Sequence, residues 1–566
     1  MLRAVTYQIP AKGGAVLATD VYLPPEALPC GRDCPALVVR TPYGRKNLSA
    51  LGDFFARNGY AVVVQDVRGT GESGGTFGFL SQEPPDAEET ARWILSQPWC
   101  NGTLGIIGVS YLASASIAIA SLFPEQVKAA VWVTIPVSAD TLTWQGGALR
   151  LHHALPWVLI QEGKLQDVLF PQAYSTLPVA GILPRGTSSL WEALISDGPG
   201  SRFWHENDVW DYVKKCRVPG LHFGGWFDFL LDATLRPYQE MSSSEVPQRL
   251  VLGPWSHNGI LGRTKLAGGV DYGPGSGASF GREALAWFDR WLKGKESGVN
   301  PDESCCGDGQ GYRHTYREDE SCVRCFFTGS EPGWREYRKW PPEGAVLTRF
   351  YLSANGLVRD PEGEASGAAR GNEDWAPEEG RHTYIYDPLD PVPTEGGALW
   401  EFPRAGLVPG PVEQHSHLRE DVLVYDTPPL DNPLRVAGPV TLVLYAASSC
   451  PDTDFTGKLV DVDENGTPRI VTDGIVRARY RNGFDRPELL EPGKVAEFRI
   501  SLGACAHVFG KGHRVRLEIS SSNFPKYDRN MNTEKLPWLE DRAVKARQEV
   551  YFGLRTPSRL ELYLEN

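Results

Sequence analysis

Short apolar runs alternate with amphipathic segments along the first part of the chain. From Pro35 the sequence contains ALVVRTPYG, AVVVQDVRGTG and LGIIGVS, three runs that each close on a Gly-rich or Pro-rich turn. Between them lie LSALGDFFARNGY and PPDAEETARWILSQ, whose apolar positions follow a helical period. Buried strands that alternate with helices are typical of a parallel sheet covered on both faces. We therefore predict an α/β domain whose first part spans residues 1–145.

The pattern changes twice further along the chain. Residues 146–210 lose the alternation and become rich in Trp, His, Leu and Pro, which indicates a helical insertion. Strand signals return in VPGLHFGGWFD and QRLVLGPWSH, so residues 211–343 are predicted to complete the α/β domain, with a polar, Cys-containing insert near 302–325. Residues 344–566 carry short alternating strands separated by Pro, Gly, Asp and Asn, which predicts an antiparallel β-sandwich of jelly-roll type.

Length and charge exclude several classes of protein. A chain of 566 residues is too long for a single hydrophobic core. Its formal net charge of −13 would repel a phosphate backbone, so we expect no nucleic-acid partner. No stretch approaches the roughly 20 apolar residues that cross a bilayer, and the N-terminal segment MLRAVTYQIPAKGG lacks the apolar core of a signal peptide. We expect no membrane association and a cytoplasmic location.

Four cysteines lie at or near the ends of the polar insert. Cys305 and Cys306 precede it, and Cys322 and Cys325 close it with a C-x-x-C spacing that a structural zinc site also uses. The adjacent pair is a poor match to ordinary zinc-finger spacing, and the last two open an apolar strand, VRCFFTG. Unliganded thiols are favoured over a metal or a disulfide, and no cofactor or metal is predicted.

Three serines are candidates for a nucleophile. A serine hydroxyl needs a nearby base and donors for the oxyanion, which a tight turn from a strand into a helix supports. GESGG and GASFG match the strict G-x-S-x-G pattern, but Ser73 opens onto a loop and Ser279 lies where a helix N-cap is expected. Only Ser110, in LGIIGVSYLASASIAIA, follows a buried strand and precedes a long apolar helix, although Leu112 replaces the last glycine. This stretch alone supports a nucleophile and an ordinary buried serine equally.

The order of possible partners favours Ser110. In hydrolases built on a parallel sheet, an acid and then a histidine follow the serine on loops after later strands. Of the 11 histidines, only His257 directly follows a strand of the α/β part and comes after a candidate acid. That acid is Asp228, for which a helix N-cap is the alternative role, and Asp232, inside an expected helix, is the second choice. We predict a triad of Ser110, Asp228 and His257.

Many short strings around these residues match one family. They are RTPYGR, QDVRGTGESGG, GVSYLA, GGWFD, LGPWSH, WFDRWLKG, YDPLDPVPTEGG, DTDFTGKLVDV, DGIVRARYR and SSSNFPKYDRNMNT. Together they resemble the cocaine esterase-like family of serine hydrolases, which is related to X-prolyl dipeptidyl aminopeptidases and α-amino acid ester hydrolases. The resemblance implies an α/β-hydrolase domain, a helical cap insertion and a C-terminal jelly roll. Residues 302–321, Ala113 in place of a glycine, and the wording of the tail depart from the family.

The resemblance also implies roles for individual residues. Ser110 would be acylated, His257 would act as general base and acid, and Asp228 would orient the imidazole. Tyr43, in RTPYGR, and the backbone N-H of Tyr111 would bind the oxyanion. Without the resemblance, Tyr43 would be interpreted as a core aromatic at a strand end.

Further residues carry two interpretations each. Four aromatic side chains fall where a substrate pocket could be lined, and ordinary packing explains each of them equally well: Trp144, Trp157, Trp226 and Phe229. Asp66 and Arg68, in QDVRG, are interpreted as a structural ion pair.

These observations predict a serine carboxylic-ester hydrolase that acts through an acyl-enzyme. Its partners would be a small, aromatic or acyl ester and water, and a homodimer is possible. One alternative is an X-prolyl dipeptidyl peptidase or an α-amino acid ester or β-lactam acylase, both of which need an acidic group for a substrate amine. Another is an inactive scaffold whose jelly roll binds carbohydrate.

Overall fold

The computed structural model describes residues 2–25, 34–170, 172–196, 198–262, 266–295, 322–360 and 378–565. The N-terminal part forms six strands and three helices: β1 (Val5–Pro10), β2 (Val16–Tyr22), β3 (Cys34–Thr41), α1 (Ser49–Arg57), β4 (Ala61–Asp66), α2 (Glu83–Leu95), β5 (Cys100–Val109), α3 (Tyr111–Leu122) and β6 (Val127–Val133). The alternating apolar runs therefore become parallel strands, with Val38 of β3 opposite Val63 of β4.

Helix α3 is the most deeply buried helix of this region. All residues from Tyr111 to Ala120 are buried. A helix that is apolar on every side must be covered on every side, and α3 packs against β3, β5 and α2. This enclosure fixes the start of α3, and with it the residue that joins α3 to β5.

Between β6 and the next strand of the sheet, the chain forms a mostly helical insertion. Its elements are α4 (Ala139–Leu142), β7 (Trp144–Gln145), β8 (Ala148–Leu149), α5 (Leu151–Gln161), α6 (Gln172–Ser175), α7 (Ser189–Ile195), α8 (Arg202–Glu206) and α9 (Trp210–Lys215). The helices thus extend beyond both ends of the predicted range 146–210. At the first end, α4 begins where Ser138 and Thr141 form a capping box.

The sheet then continues after the insertion. The next elements are β9 (Gly220–Phe227), α10 (Asp232–Ser242), β10 (Gln248–Ser256), β11 (Leu266–Ala267), β12 (Val270–Asp271), α11 (Phe280–Lys293), β13 (Cys322–Gly329) and β14 (Gly333–Tyr337). The strand order is β1-β2-β4-β3-β5-β6-β9-β10-β13-β14. The run from β4 to β13 is parallel, so the carboxyl ends of its strands share one edge.

The C-terminal part contains only strands and short 3-10 turns among the residues the structure describes. The strands are β15 (Val346–Ser353), β16 (Gly356–Arg359), β17 (Gly380–Tyr386), β18 (Leu423–Asp426), β19 (Leu434–Ser448), β20 (Asp454–Val462), β21 (Pro468–Arg477), β22 (Ala496–Phe509), β23 (Arg514–Ser520), β24 (Ala546–Phe552) and β25 (Arg559–Glu565). One sheet is organised around β19 and a second has the order β18-β23-β20-β21. Their apolar faces share one core, in which Leu442 and Phe498 meet Phe455 and Leu517. This confirms the predicted β-rich C-terminal domain, and its jelly-roll topology stays a prediction.

Strand β13 belongs both to the sheet of the α/β domain and to the C-terminal sheet around β19. Its first half pairs in parallel with β10, from Arg249 opposite Cys322 to Leu252 opposite Cys325. Its last two residues pair with β22, where Thr328 lies opposite His507. The two domains are therefore joined by backbone hydrogen bonds as well as by side-chain packing.

A buried ionic network links the C-terminal domain to the insertion. Arg477 is fully buried and makes ion pairs at 2.9 Å with both Asp454 and Asp528. Asp528 also accepts a hydrogen bond from the backbone of Leu149, at 2.8 Å. The network thus anchors the β7-β8 hairpin of the insertion on the C-terminal domain.

Of the helices in the described ranges, none has the length and apolar character that a membrane crossing needs.

Candidate active site

The three predicted triad residues each follow a parallel strand. Ser110 follows β5, Asp228 follows β9 and His257 follows β10. Since these strands run in the same direction, all three residues lie at the carboxyl edge of the sheet, where open α/β sheets bind their ligands. The strand order places the three residues at this edge, and their assembly into a triad stays a prediction.

Ser110 occupies a strained turn between β5 and α3. Its φ of 53° and ψ of −127° lie in a region that non-glycine residues rarely adopt. The turn is held by the Ser110 amide, which donates to the Val133 carbonyl at 2.7 Å. A Cβ on Gly108 would lie 2.5 Å from the Cα of Ala113, so glycine is required there. Leu112 is buried in an apolar cluster with Ile107 and Val133, which explains how this elbow accommodates a side chain at the last position of the motif.

His257 and Asp228 form a hydrogen-bonded pair. The His257 Nδ1 lies 3.0 Å from each carboxylate oxygen of Asp228. The Asp228 side chain is fully buried, and its Oδ1 also accepts a hydrogen bond from the Leu230 amide at 2.8 Å. Because a carboxylate only accepts, Nδ1 carries the proton and Nε2 is left as the basic nitrogen. Asp228 therefore serves both the local turn and the histidine.

The electrostatics of the site favour the imidazolium form of His257. Burial opposes a charge on the ring, but the charge of Asp228, its hydrogen bond and the charge of Glu401 outweigh burial and raise the pKa of His257 above its ordinary value. A raised pKa strengthens the histidine as a proton acceptor. It also means that, as the pH falls, the neutral imidazole is protonated at a higher pH.

Tyr43 and Tyr111 both contact one tryptophan. Trp157 Nε1 donates to the Tyr43 hydroxyl at 3.0 Å, and the Trp157 ring stacks on Tyr111 with centroids 6.2 Å apart. Tyr43 leaves 36% of its surface exposed, whereas desolvation of its hydroxyl raises the pKa of Tyr43 to about 12. The phenol thus stays protonated at neutral pH and can donate.

The backbone amide of Tyr111 is the second possible oxyanion donor. It is the first residue of α3, and the first amides of a helix have no partner within the helix. Its phenol is anchored elsewhere, since it donates to Glu83 at 2.9 Å, and Glu83 is paired with buried Arg40 at 2.8 Å. This buried network holds the start of α3 in place.

Comparison with known proteins identifies the family. Residues 13–259 match the model of the X-Pro dipeptidyl-peptidase S15 family, and residues 315–561 match that of the X-Pro dipeptidyl-peptidase C-terminal non-catalytic domain. The cocaine esterase of Rhodococcus sp. is 33% identical over 94% of this chain and 92% of its own length. The chain belongs to the cocaine esterase family of serine hydrolases.

Two solved structures show the same fold over the full chain. An aminopeptidase from the marine sediment archaeon Thaumarchaeota archaeon has a TM-score of 0.79 and 25% identity, and the match covers 100% of this chain and 96% of that one. An α-amino acid ester hydrolase has a TM-score of 0.78 at 24% identity, with 99% and 96% covered. The predicted α/β architecture with a β-rich C-terminal domain is thus shared with these two solved structures.

In this member of the cocaine esterase family, two of the four predicted pocket aromatics contact other predicted site residues. The Phe229 ring lies 5.1 Å from the His257 ring, and Trp157 lies beside the two tyrosines. Trp157 is on α5, four residues after His153, whose ring packs on Phe229 at 4.3 Å. His153 and Trp157 are one helical turn apart, so one face of α5 contacts both Phe229 and the two tyrosines.

The other two aromatics are a correction to the sequence-based expectation. Trp144 is fully buried and packs edge to face on Trp538, with centroids 4.8 Å apart. Trp226 donates to the Phe326 carbonyl at 2.8 Å and packs on Trp340. Both rings are occupied by contacts with segments far along the chain, so we remove them from the pocket.

The expected ion pair between Asp66 and Arg68 is also wrong. Asp66 pairs with Arg45 at 2.6 Å, and Arg68 forms a bidentate contact with Asp86. The side chains of residues two apart point to the same face only while the strand continues. Because β4 ends at Asp66, Arg68 lies beyond the strand and its side chain need not share that face.

The remaining serine and acid candidates do not pair with His257, whose Nδ1 contacts Asp228. Ser73 is a loop residue that donates to the Asp66 carbonyl, as expected. Ser279 occupies the N-cap position of α11, and its hydroxyl bonds to Glu283 instead of capping the helix. Asp232 is the first residue of α10.

The cysteine cluster is described only in part. Cys305 and Cys306 lie outside the described residues. Cys322 and Cys325 are buried in β13, three positions apart, so their side chains point to opposite faces of the strand. Burial raises the pKa of Cys322 to about 11 and that of Cys325 above its usual range. These two thiols do not converge on one ligand position.

Three site residues were missed from sequence. His153 lies in the insertion, and Trp400 and Glu401 lie in the C-terminal part. The Trp400 ring is 5.7 Å from His153 and 6.3 Å from Phe229. Glu401 accepts a hydrogen bond from the amide of Asn258, 143 residues away, at 3.0 Å. No motif marks this loop, so only the tertiary structure shows that it borders the loop of His257.

Proposed function

We propose that this protein hydrolyses small carboxylic esters through an acyl-enzyme on Ser110. The observation that supports this most strongly is the His257–Asp228 pair at the same sheet edge as a serine in a strained elbow. The coarser assignment, a serine ester hydrolase related to the S15 family, follows from the family membership.

The first half-reaction forms the acyl-enzyme. Ser110 Oγ attacks the ester carbonyl while Nε2 of His257 accepts the hydroxyl proton. The negative charge that develops on the carbonyl oxygen is stabilised by the Tyr43 hydroxyl and the Tyr111 amide. Asp228 keeps the proton on Nδ1 and stabilises the imidazolium. Collapse of the tetrahedral intermediate breaks the ester C–O bond, and the imidazolium protonates the departing alcohol.

The second half-reaction releases the acid. Water attacks the acyl carbonyl as His257 Nε2 takes one of its protons, and the same two donors stabilise the oxyanion. Expulsion of Ser110 Oγ, which regains its proton from the imidazolium, restores the enzyme. Every step uses groups of this chain.

The aromatic residues around the site favour an ester with a flat or apolar substituent. Trp157 lies against Tyr43 and Tyr111, Phe229 lies against His257, and Trp400 packs next to Phe229. Apolar walls with a few convergent polar groups are typical of small-molecule sites. We propose Trp157, Phe229 and Trp400 as pocket residues.

The test is the hydrolysis of p-nitrophenyl acetate and of an aryl ester by the wild type and by Ser110→Ala. We expect Ser110→Ala to lower kcat by about 10⁴-fold or more without loss of the fold, while Ser73→Ala, at the strict motif, keeps wild-type turnover. Labelling by a fluorophosphonate should require Ser110. Near-normal turnover or labelling of Ser110→Ala would refute the assignment and would reopen the inactive-scaffold alternative.

A peptidase activity is the second candidate, because both matched family models are described for X-Pro dipeptidyl-peptidases. Comparison of an Xaa-Pro p-nitroanilide with an aryl ester separates the two activities. We expect the ester to have the higher kcat/KM, and the opposite order would identify a peptidase.

A further inference from the structure

A loop of the C-terminal domain reaches the residue next to the catalytic histidine. Glu401 Oε2 accepts a hydrogen bond from the Asn258 amide at 3.0 Å, immediately after His257 in the chain. The preceding residue, Trp400, packs on His153 and Phe229. Its carbonyl also contacts His152 Nε2 at 3.0 Å. The loop is therefore fixed on the insertion at one residue and on the histidine loop at the next.

The carboxylate of Glu401 has no basic side-chain partner among the residues that the structure describes. It is half-buried, and burial raises its pKa, opposed by the Asn258 amide and by the charge of His257. A half-buried carboxylate without an ion pair lowers the stability of the folded protein unless nearby groups stabilise its charge.

The titratable groups around His257 come from three elements. Asp228 follows β9 and Glu401 lies on the C-terminal loop, and both raise the pKa of His257. His153 lies on α5, and the charge of His257 contributes to the lowering of its pKa. Arg150 acts on His153 and lies within electrostatic reach of Asp228. Desolvation keeps the pKa of His153 well below its usual range, so this second imidazole is neutral. Glu401 is thus the second negative charge beside an imidazole that becomes positive during the reaction.

We propose that Glu401 is a positioning residue for His257, which holds the loop after β10 through the Asn258 amide and supplies a second carboxylate for the imidazolium. The C-terminal domain, whose family model is described as non-catalytic, would then contribute directly to the geometry of the triad. The inference rests on the proposed ester hydrolysis, because it assumes that His257 gains a proton in each half-reaction.

Two substitutions separate the two roles. Glu401→Gln keeps an oxygen that can accept from the Asn258 amide but removes the charge, whereas Glu401→Ala removes both. Glu420→Gln is the matched control, because Glu420 is exposed and is not among the charges that shift the pKa of His257. The pH dependence of kcat/KM for p-nitrophenyl acetate is measured for all four proteins.

For Glu401→Gln we expect the acidic limb of the profile to move to lower pH by about half a unit, with kcat on the plateau lowered by no more than about threefold. The direction follows because removal of a negative charge lowers the pKa of His257, so the neutral base persists to lower pH. For Glu401→Ala we expect the same shift and a plateau kcat lower by about tenfold, with little change in KM, because the histidine loop is less well held. Glu420→Gln should match the wild type.

An unshifted acidic limb in Glu401→Gln, or a full plateau kcat in Glu401→Ala, would overturn the proposal. The titration of His257 is also read directly by NMR of histidine-labelled protein, with the signal assigned by its loss in His257→Gln. A shifted titration in a protein that does not turn over esters would contradict the proposed function alone. Ester turnover with an unshifted titration would contradict this inference alone.

Discussion

Tyr43→Phe is the sharpest test of the oxyanion site. The substitution removes one hydroxyl and leaves the ring in place. Trp157 Nε1 already donates to the Tyr43 oxygen at 3.0 Å, so the phenolic proton is not used in that contact and can point at a substrate oxygen. With a pKa raised to about 12, the phenol keeps this proton at neutral pH. The substitution therefore deletes one donor and one acceptor.

The two deletions have separate magnitudes. Loss of one oxyanion donor typically costs about 2.7–4 kcal/mol of transition-state stabilisation, which corresponds to about 10²–10³-fold in kcat. Loss of the acceptor for the Trp157 indole N-H should lower the free energy of unfolding by about 1–3 kcal/mol. Because the donor acts on charge that develops only in the transition state, KM should change little.

The assay is steady-state hydrolysis of p-nitrophenyl acetate, together with thermal unfolding followed by circular dichroism. Trp157→Phe is the control, since it removes the same hydrogen bond but keeps the Tyr43 hydroxyl. We expect this control to lose stability while it keeps most of kcat. If Tyr43→Phe retained more than about a third of kcat, or if Trp157→Phe lost as much kcat as Tyr43→Phe, the role of Tyr43 as an oxyanion donor would be wrong.

Two further predictions concern charges. Asp228→Asn should lower kcat by about 10²–10⁴-fold. Because the substitution removes the carboxylate that raises the pKa of His257, it should also move the acidic limb of the kcat/KM profile to lower pH. An unchanged pH profile would contradict the assigned pair. Arg477→Met should lower the free energy of unfolding by about 3–5 kcal/mol, since two buried carboxylates lose their partner. Urea denaturation measures this loss, and a change below about 1 kcal/mol, the value typical of exposed pairs, would show that the network is not stabilising.

The residues that the sequence located correctly are those whose position depends on local rules. Ser110, Asp228 and His257 each follow an apolar run, and parallel strands bring such positions to one edge whatever the loops do. Ser110 could be chosen over Ser73 and Ser279 because only its neighbours form both a strand and a helix.

Residues whose contacts depend on distant segments were not predictable. Trp226 sits in the same strand as the residues that lead to Asp228, yet its ring is taken up by Trp340, more than a hundred positions further on. Glu401 reaches the histidine loop only because the C-terminal domain folds back on the insertion. Neither contact is marked by a periodicity or a motif in the amino-acid sequence. The predicted ion pair between Asp66 and Arg68 was wrong for a similar reason. Nearness in sequence does not decide between ion-pair partners when a strand ends between the two residues.

The shared strand β13 has a consequence for any attempt to express the two domains separately. A chain cut before Cys322 would leave β10 as an open sheet edge with unpaired amides and carbonyls, which favours aggregation. A cut after Gly329 would instead remove the partner that β22 meets at Thr328. Gene fusions, circular permutations and domain exchanges with other proteins should therefore keep this segment attached to both neighbours, with new joints placed elsewhere.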